Sequence, residues 1–296
     1  MNKNEWGKRI VHIYKQNDVP GRDVMKFIKM QGLGNDFICL DGKELNIEEI
    51  LPNISSLCDR HYGVGADGII LIKDSDKADR QMEIYNADGT RAKMCGNGIR
   101  CVGKYLYENS MDKDRVVYIE TDTGIRELRF VEEENMIQVD MGSPCLETRG
   151  IPVLGEKDII LNQKIEVSGE TYRFTAVSMG NPHAVVFVKN PDRICLERTG
   201  PAFEYHPLFP DRINVEFVRV RNHAELEMRV WERGVGETLS CGTGACAATV
   251  AAVLNNLTDD KVKVKLKGGN LFVRWNRKVN RVYMTGPAVK VFDGEI

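Results

Sequence analysis

Apolar and polar residues alternate through Met25-Lys26-Phe27-Ile28-Lys29-Met30, the two-residue period of a half-buried strand. A glycine turn, Gly32-Leu33-Gly34-Asn35-Asp36, separates it from a second strand at 37–41. Residues 46–60 change period and predict a helix with Ile47, Ile50, Ile54 and Leu57 on one side, although Pro52 makes its start irregular. The apolar run Ile69-Ile70-Leu71-Ile72 and the stretch 82–86 read as further strands, the latter closed by Ala87-Asp88-Gly89. A helix follows Cys95, with Ile99, Val102 and Leu106 on one stripe and Arg100, Lys104 and Glu108 on another, the pattern of an ordinary amphipathic helix. Short strands are predicted at 116–121, 125–130 and 136–141 before Gly142-Ser143-Pro144 breaks the chain.

Beyond that break the pattern is again rich in strands, at 171–178, 184–188, 215–220, 226–231, 261–266, 270–275 and 281–285. One segment differs from all others: Gly244-Ala245-Cys246-Ala247-Ala248-Thr249-Val250-Ala251-Ala252-Val253-Leu254 carries no charge. A helix apolar on every side must be buried on every side, and this one is too short to cross a bilayer. Its small residues let strands approach all round, so the pattern predicts a sheet wrapped around a central helix. Both halves run in one order: strands, a Gly-Asn turn (Gly34-Asn35, Gly180-Asn181), strands, Cys-Gly-x-Gly, helix. The fold class is therefore α+β, with two pseudo-symmetric domains, each a mostly antiparallel sheet or barrel around a central helix, and a cleft between them. The domains are expected at 25–141 plus 287–296 and at 142–286. Residues 1–24 stand apart as an N-terminal extension: Trp6, Ile10, Ile13 and Tyr14 recur at helical spacing among basic residues, and Pro20-Gly21 ends the segment. We assign it no chemistry.

Composition narrows the function. The chain has 296 residues and a net charge of -2, which argues against a nucleic-acid partner. No run reaches membrane-spanning length and no signal-peptide core is present. Eight cysteines without a CxxC, in a chain too large to need staples, point to free thiols in a reducing cytoplasm. Tyr62-Gly63-Val64-Gly65-Ala66-Asp67-Gly68 looks like a phosphate loop, but it lacks the Gly-Lys-Ser/Thr ending and leads into a strand, so nucleotide binding is rejected.

The chemistry concentrates in Met94-Cys95-Gly96-Asn97-Gly98 and Ser240-Cys241-Gly242-Thr243-Gly244. A cysteine at a helix start lies in the positive end of the dipole, which favours thiolate, and the adjoining free amides can hold a carboxylate. Two copies facing one cleft would place a thiol on each side of a small anionic substrate. The amides of Gly96, Asn97, Gly242 and Thr243 would bind its oxygens. That suits two-base racemisation without a cofactor. A redox pair of the same thiols is the rival reading. Zinc held by Cys95 with Cys101 and Cys241 with Cys246 is disfavoured by the spacing, so no metal is expected. Cys39, Cys58, Cys101, Cys145, Cys195 and Cys246 are read as inert buried hydrophobes. His183 and Glu232 are titratable residues at strand ends.

Together, Gly32-Leu33-Gly34-Asn35-Asp36-Phe37, Asn86-Ala87-Asp88-Gly89, the two cysteine motifs, Gly180-Asn181-Pro182-His183 and Glu232-Arg233-Gly234 closely resemble the diaminopimelate epimerase family, from Met25 to the end of the chain. The resemblance implies pyridoxal-independent conversion of LL- to meso-diaminopimelate in lysine and peptidoglycan-precursor synthesis. It implies Cys95 and Cys241 as catalytic acid/base residues and His183 and Glu232 as groups that modulate them. It also implies substrate binding by Asn35, Asn86, Asn181, Asn214, Glu232 and Arg233, with Gly96-Asn97 and Gly242-Thr243 acting through their backbones. A homodimer is implied, and a final segment near 286–292 that returns to the first domain. Gly68 stands where some members have a binding Gln, and Phe292 where some have Tyr near the dimer contact. The other readings are a different cofactor-independent racemase on the same fold and a non-catalytic thiol redox or amino-acid-binding protein.

Overall fold

The structure is a computed structural model that describes residues 25–42, 47–109 and 116–296. The Trp6–Tyr14 periodicity and Asn46 lie outside the described residues. In the first half the elements are β1 (Lys26–Gly32), β2 (Asn35–Asp41), α1 (Ile47–Ile50), α2 (Ile54–Cys58), β3 (Gly68–Lys73), β4 (Arg80–Asn86), β5 (Arg91–Ala92), α3 (Gly96–Glu108), β6 (Val117–Thr121), β7 (Gly124–Val131) and β8 (Met136–Gly142). The second half has β9 (Gln163–Val167), β10 (Glu170–Ser178), β11 (Pro182–Phe187), α4 (Leu196–Glu204), β12 (Asn214–Asn222), β13 (Glu225–Glu232), β14 (Gly236–Glu237), α5 (Gly242–Leu254), β15 (Lys261–Leu266), β16 (Gly269–Asn276), β17 (Arg281–Gly286) and β18 (Val289–Glu295).

The pairing of the two halves matches step for step. β1–β2 is antiparallel, β2–β3 parallel, β3–β4 antiparallel, β4–β6 parallel, and β6–β7 and β7–β8 antiparallel. The series β10, β11, β12, β13, β15, β16 and β17 repeats that sequence of orientations. An antiparallel β8–β17 contact joins the halves, β9 extends β10, and β18 returns to pair with β1. The two halves are thus pseudo-symmetric, and the last strand pairs with the first.

Alternation within single strands shows how the layers form. Phe37 and Cys39 of β2 and Ile70 and Ile72 of β3 face an inner core, whereas Ile38, Leu40, Ile69 and Leu71 face an outer one roofed by Ile54 and Leu57 of α2. A strand buried on both faces reads as a continuous apolar run, which is what Ile69–Ile72 shows. In the second half, α4 covers the matching outer face, where Phe203 packs against Phe217. The inner core is continuous through both halves and encloses the two cysteine-led helices. Helix α5 packs against β10, β11, β12, β13, β15, β16 and β17, so its sheet wraps it as its charge-free sequence predicts. Full burial of Val250 alone is worth about 1.5–3 kcal/mol.

Several expectations change. The helix over 46–60 is broken: a 3-10 turn at Leu51–Asn53, with Pro52 inside, separates α1 from α2 because proline cannot donate the backbone bond a continuous helix needs there. Helix α3 is not an ordinary surface helix: Arg100 and Lys104 of its polar stripe are buried. Cys145 is partly exposed and Cys195 exposed, so neither is a buried hydrophobe, whereas Cys39, Cys58, Cys101 and Cys246 are buried as expected. β9, α4 and β18 are elements that the sequence pattern does not mark.

Candidate active site

The two cysteines are helix N-caps. Cys95 has an extended backbone ahead of α3, and its sulfur accepts from the Gly98 amide at 3.5 Å. Cys241 does the same ahead of α5, accepting from Gly244 N at 3.3 Å. The helix starts abut. A Cβ built on Gly96 would lie 3.4 Å from the Gly242 Cα, and one built on Gly242 would lie 3.4 Å from the Gly96 Cα. A methyl at either position would touch the other helix start and press on the Met284 side chain, so glycine at both lets the two starts meet backbone to backbone. Two positive helix ends therefore converge on one spot with a thiol beside each.

Strand register brings the remaining groups to these helix starts. His183 lies opposite Asn214 in the parallel β11–β12 pair, and Val215 opposite Trp231 in β12–β13, which sets Glu232 level with them on the next strand. His183, Asn214 and Glu216 share the β12 face that is turned towards α5, since side chains alternate. The Asn214 amide donates to the Pro182 carbonyl at 2.7 Å, while its oxygen accepts from the Arg233 backbone at 2.9 Å. The His183 ring is fully buried between Glu216 Oε1 (2.6 Å from Nδ1) and Asn181 Oδ1 (3.0 Å from Nε2). Asn181 Nδ2 in turn donates to Thr243 Oγ1 at 3.3 Å, and that hydroxyl is 3.5 Å from the Cys241 sulfur. Glu232 accepts from the Thr238 hydroxyl and is hydrogen-bonded to the Cys241 thiol.

On the other side, Cys95 donates to Asn35 Oδ1 at 3.5 Å. Asn35 Nδ2 donates to Asp67 at 2.8 Å, and Asp36 is gripped by Lys29 at 2.7 Å and Arg60 at 2.6 Å. Burial pushes the Asp36 carboxyl up, but the Arg60 and Lys29 hydrogen bonds outweigh it and hold the group at about 2.

The thiols themselves are not simple helix-end thiolates. Loss of solvent pushes Cys95 up and outweighs the Gly98 and Asn97 amides that pull it down. Cys241 is pushed well above the ordinary thiol range by burial first, then by the Glu232 and Glu216 carboxylates, against the Thr243 hydroxyl and the Gly244 amide. Burial likewise raises Glu232. In the free protein, desolvation exceeds the helix-end effect that favours thiolate. Cys101 and Cys246 are pushed up to about 12 by burial, the behaviour of inert core thiols.

The structure thus brings together Cys95, Asn35 and Asn97 on one side, and Cys241, Thr243, Asn181, His183, Asn214 and Glu232 on the other. Asn86 and Arg233 are exposed, and their side chains bond elsewhere: Asn86 donates to Thr90 at 2.9 Å and the Arg233 guanidinium to the Asp211 carbonyl at 2.8 Å, while the Arg233 backbone joins the second cluster through Asn214. Gly68 pairs with Asn86, and a Cβ there would lie 2.4 Å from the Tyr85 carbonyl oxygen, so no side chain fits without a backbone shift. Sequence reading missed Glu216, Arg100 and Ser240. The signal for Glu216 was a lone charge at an inward position of the apolar strand Val215-Glu216-Phe217-Val218.

Comparison with known proteins follows the motifs. The family model for diaminopimelate epimerase matches residues 27–147 and 175–291. A diaminopimelate epimerase of Acetivibrio thermocellus is 50% identical over 275 residues, 92% of this chain and 98% of its own. One from Methanococcus maripaludis is 49% identical over 277 residues, 92% and 99% of the two chains. Among solved structures, a Bacillus anthracis phenazine biosynthesis protein of the PhzF family aligns with TM-score 0.67 at 18% identity, over 93% of this chain and 99% of that one. An Agrobacterium vitis hydroxyproline epimerase aligns with TM-score 0.67 at 15% identity, over 94% of each. The distant structures share the fold, the family model and the relatives at about half identity cover most of the sequence, and the chain belongs to the diaminopimelate epimerase family.

Proposed function

We propose that this protein interconverts LL- and meso-2,6-diaminopimelate without a cofactor, by a two-base mechanism that uses Cys95 and Cys241, within lysine and peptidoglycan-precursor synthesis. The observation that carries the reading is the abutment of two helix starts, each capped by a cysteine. The substrate α-carboxylate sits at the amides of Gly96, Asn97, Gly242 and Thr243. One sulfur, as thiolate, takes the α-proton from one face; the other, as thiol, gives its proton to the opposite face. The two cysteines end with their protonation exchanged and reset through solvent. Converging amides stabilise the carbanion as charge develops, in a site where few waters compete. Glu232 and His183 tune the Cys241 side. Asn35, Asn86, Asn181, Asn214 and Arg233 fix the substrate's polar groups, and recognition of its second ammonium and carboxylate excludes simpler amino acids.

The domains are assigned as 25–141 with 287–296, and 142–286, a division supported by the β18–β1 pairing. The protein acts in the cytoplasm as a homodimer; exposed Val289, Val291 and Phe292 on β18 support that assembly, and sedimentation measures it.

The deciding experiment incubates reduced protein with LL-diaminopimelate in D2O, without pyridoxal phosphate, and follows α-deuteration and the diastereomer ratio. Deuteration with conversion to the meso form is expected. Absence of exchange with every diaminopimelate isomer sinks the proposal, and exchange with other amino acids alone moves it to another racemase of this fold.

A further inference from the structure

Arg100 is wholly buried one turn into α3, yet among the described residues it forms no ion pair with a carboxylate. Its guanidinium donates to Gly96 O at 2.8 Å, Pro287 O at 3.2 Å and Asn97 Oδ1 at 2.8 Å, and it reaches Met284 Sδ at 3.8 Å. Every one of these acceptors is neutral. A Cβ on Gly32 or on Gly286 would come within 3.2 Å of a guanidinium nitrogen, so the fold leaves room for this group. Met284 also touches the junction of the helix starts: its side chain is 3.2 Å from a Cβ built on Gly96 and 3.1 Å from one built on Gly242. Arginine stays charged in proteins. A full positive charge is therefore held beneath the two helix starts with no carboxylate among the described residues paired to it, and it favours negative charge that forms nearby.

The same group sets an orientation. Guanidinium only donates, so Asn97 must turn its oxygen to Arg100 and its amide away. That amide donates to Ser240 Oγ at 2.9 Å, to the Ser240 carbonyl at 3.2 Å and to Asn35 Oδ1 at 3.3 Å. Ser240 precedes Cys241, and Asn35 accepts from the Cys95 thiol. One buried cation thereby anchors neighbours of both sulfurs.

We propose that Arg100, which lies one turn beyond Cys95 and donates to the carbonyl of the adjoining Gly96, is a positioning residue that supplies positive charge on the Cys95 side of the cleft and favours the Cys95 thiolate when it forms. The inference rests on the two-thiol reading above. Of the charged groups acting on Cys95, the Glu232 carboxylate from β13 raises it more than Arg100 from its own helix lowers it; Cys241 faces the carboxylates of Glu232 and Glu216, and Arg100 also faces the Cys101 and Cys246 thiols. The charges are thus arranged asymmetrically: Glu232 acts on both sulfurs, Glu216 on Cys241 and Arg100 on Cys95.

The test is alkylation of each thiol by iodoacetamide across a pH series, in reduced protein without substrate, scored residue by residue by mass spectrometry. In the wild type the pH midpoint for Cys95 is expected below that for Cys241; a midpoint at or above it overturns the proposal, and this arm needs no variant to fold. In Arg100→Gln, alkylation of Cys95 at neutral pH is expected to fall about tenfold, with Cys241 much less affected. Arg100→Lys keeps the charge and is expected to restore the Cys95 profile even where the lost fork to Asn97 raises KM. An unshifted Cys95 profile in folded Arg100→Gln, or equal shifts in the Lys and Gln variants, overturns it. Because alkylation is read without turnover, failure of this test and failure of the isotope-exchange test are separate results.

Discussion

A methyl group added at Gly244 would come 2.7 Å from Glu216 Oε1 and 3.2 Å from the Cys241 sulfur. Gly244→Ala is therefore expected to cost about 1–3 kcal/mol of stability through overpacking and to lower epimerisation more than its loss of stability explains, because the displaced groups surround the thiol. Urea unfolding and steady-state rates check the two halves of that statement. Cys95→Ala and Cys241→Ala are each expected to abolish conversion while circular dichroism and melting stay near wild type; normal turnover in either variant refutes the two-base assignment. At this scale the sequence was unusually informative for the cysteines, because Cys-Gly-x-Gly ahead of a helix occurs twice. Glu216 and Arg100 were hidden for the opposite reason. A single charge in an apolar strand or on a helix stripe says nothing of its orientation until the neighbouring strands fix which side is inside.

Among the elements, α5 and α3 contrast. The former has small or apolar residues all round, and burial follows directly from that. Ala248 and Ala251 have no exposed surface, so Leu at either is expected to cost about 1–3 kcal/mol in urea unfolding, with no equivalent penalty on a solvent face. Helix α3 has a conventional amphipathic sequence and is nonetheless buried through its first turns, because its polar residues find partners inside: Arg100 on carbonyls and Asn97, and Lys104 on Asn135 Oδ1 at 2.7 Å. Periodicity detects a polar face but not whether that face is solvated by water or by protein. The broken helix at Leu51–Asn53 was half legible, since Pro52 marked an irregularity without marking its place in the element.

For the molecule as a whole, the repeated order of pairings makes two halves that present equivalent helix starts to one cleft. Two sulfurs that cap abutting helix starts are expected to join on oxidation, with loss of activity; peptide mapping that finds Cys95 and Cys241 unlinked in the inactive oxidised protein contradicts this. The Asp36 cluster ties β2 to the loop that carries Arg60 and Asp67. Its carboxyl is depressed in the fold, so its contribution is present above the unfolded carboxyl's value of about 4 and is lost as pH falls towards 2. Urea unfolding at a pH series is expected to show that loss in the wild type, and Asp36→Asn should show a flatter acid limb and lower stability at neutral pH, where Lys29 is left buried without its anion.

The sequence by itself determined the α+β class, the internal repeat, the buried second helix, the two cysteine-led helix starts and the family, because periodicity, glycine placement and local motifs are properties of short stretches. Tertiary structure alone decided which groups surround each thiol. His183 meets Glu216 through strands 33 positions apart, Asn97 meets Ser240 across 143, and Arg100 meets the Pro287 carbonyl across 187. Those contacts depend on strand register and on the packing of one half against the other. They turn the expected helix-end thiolates into two desolvated sulfurs, one between the Glu232 carboxylate and the Arg100 cation and the other among carboxylates.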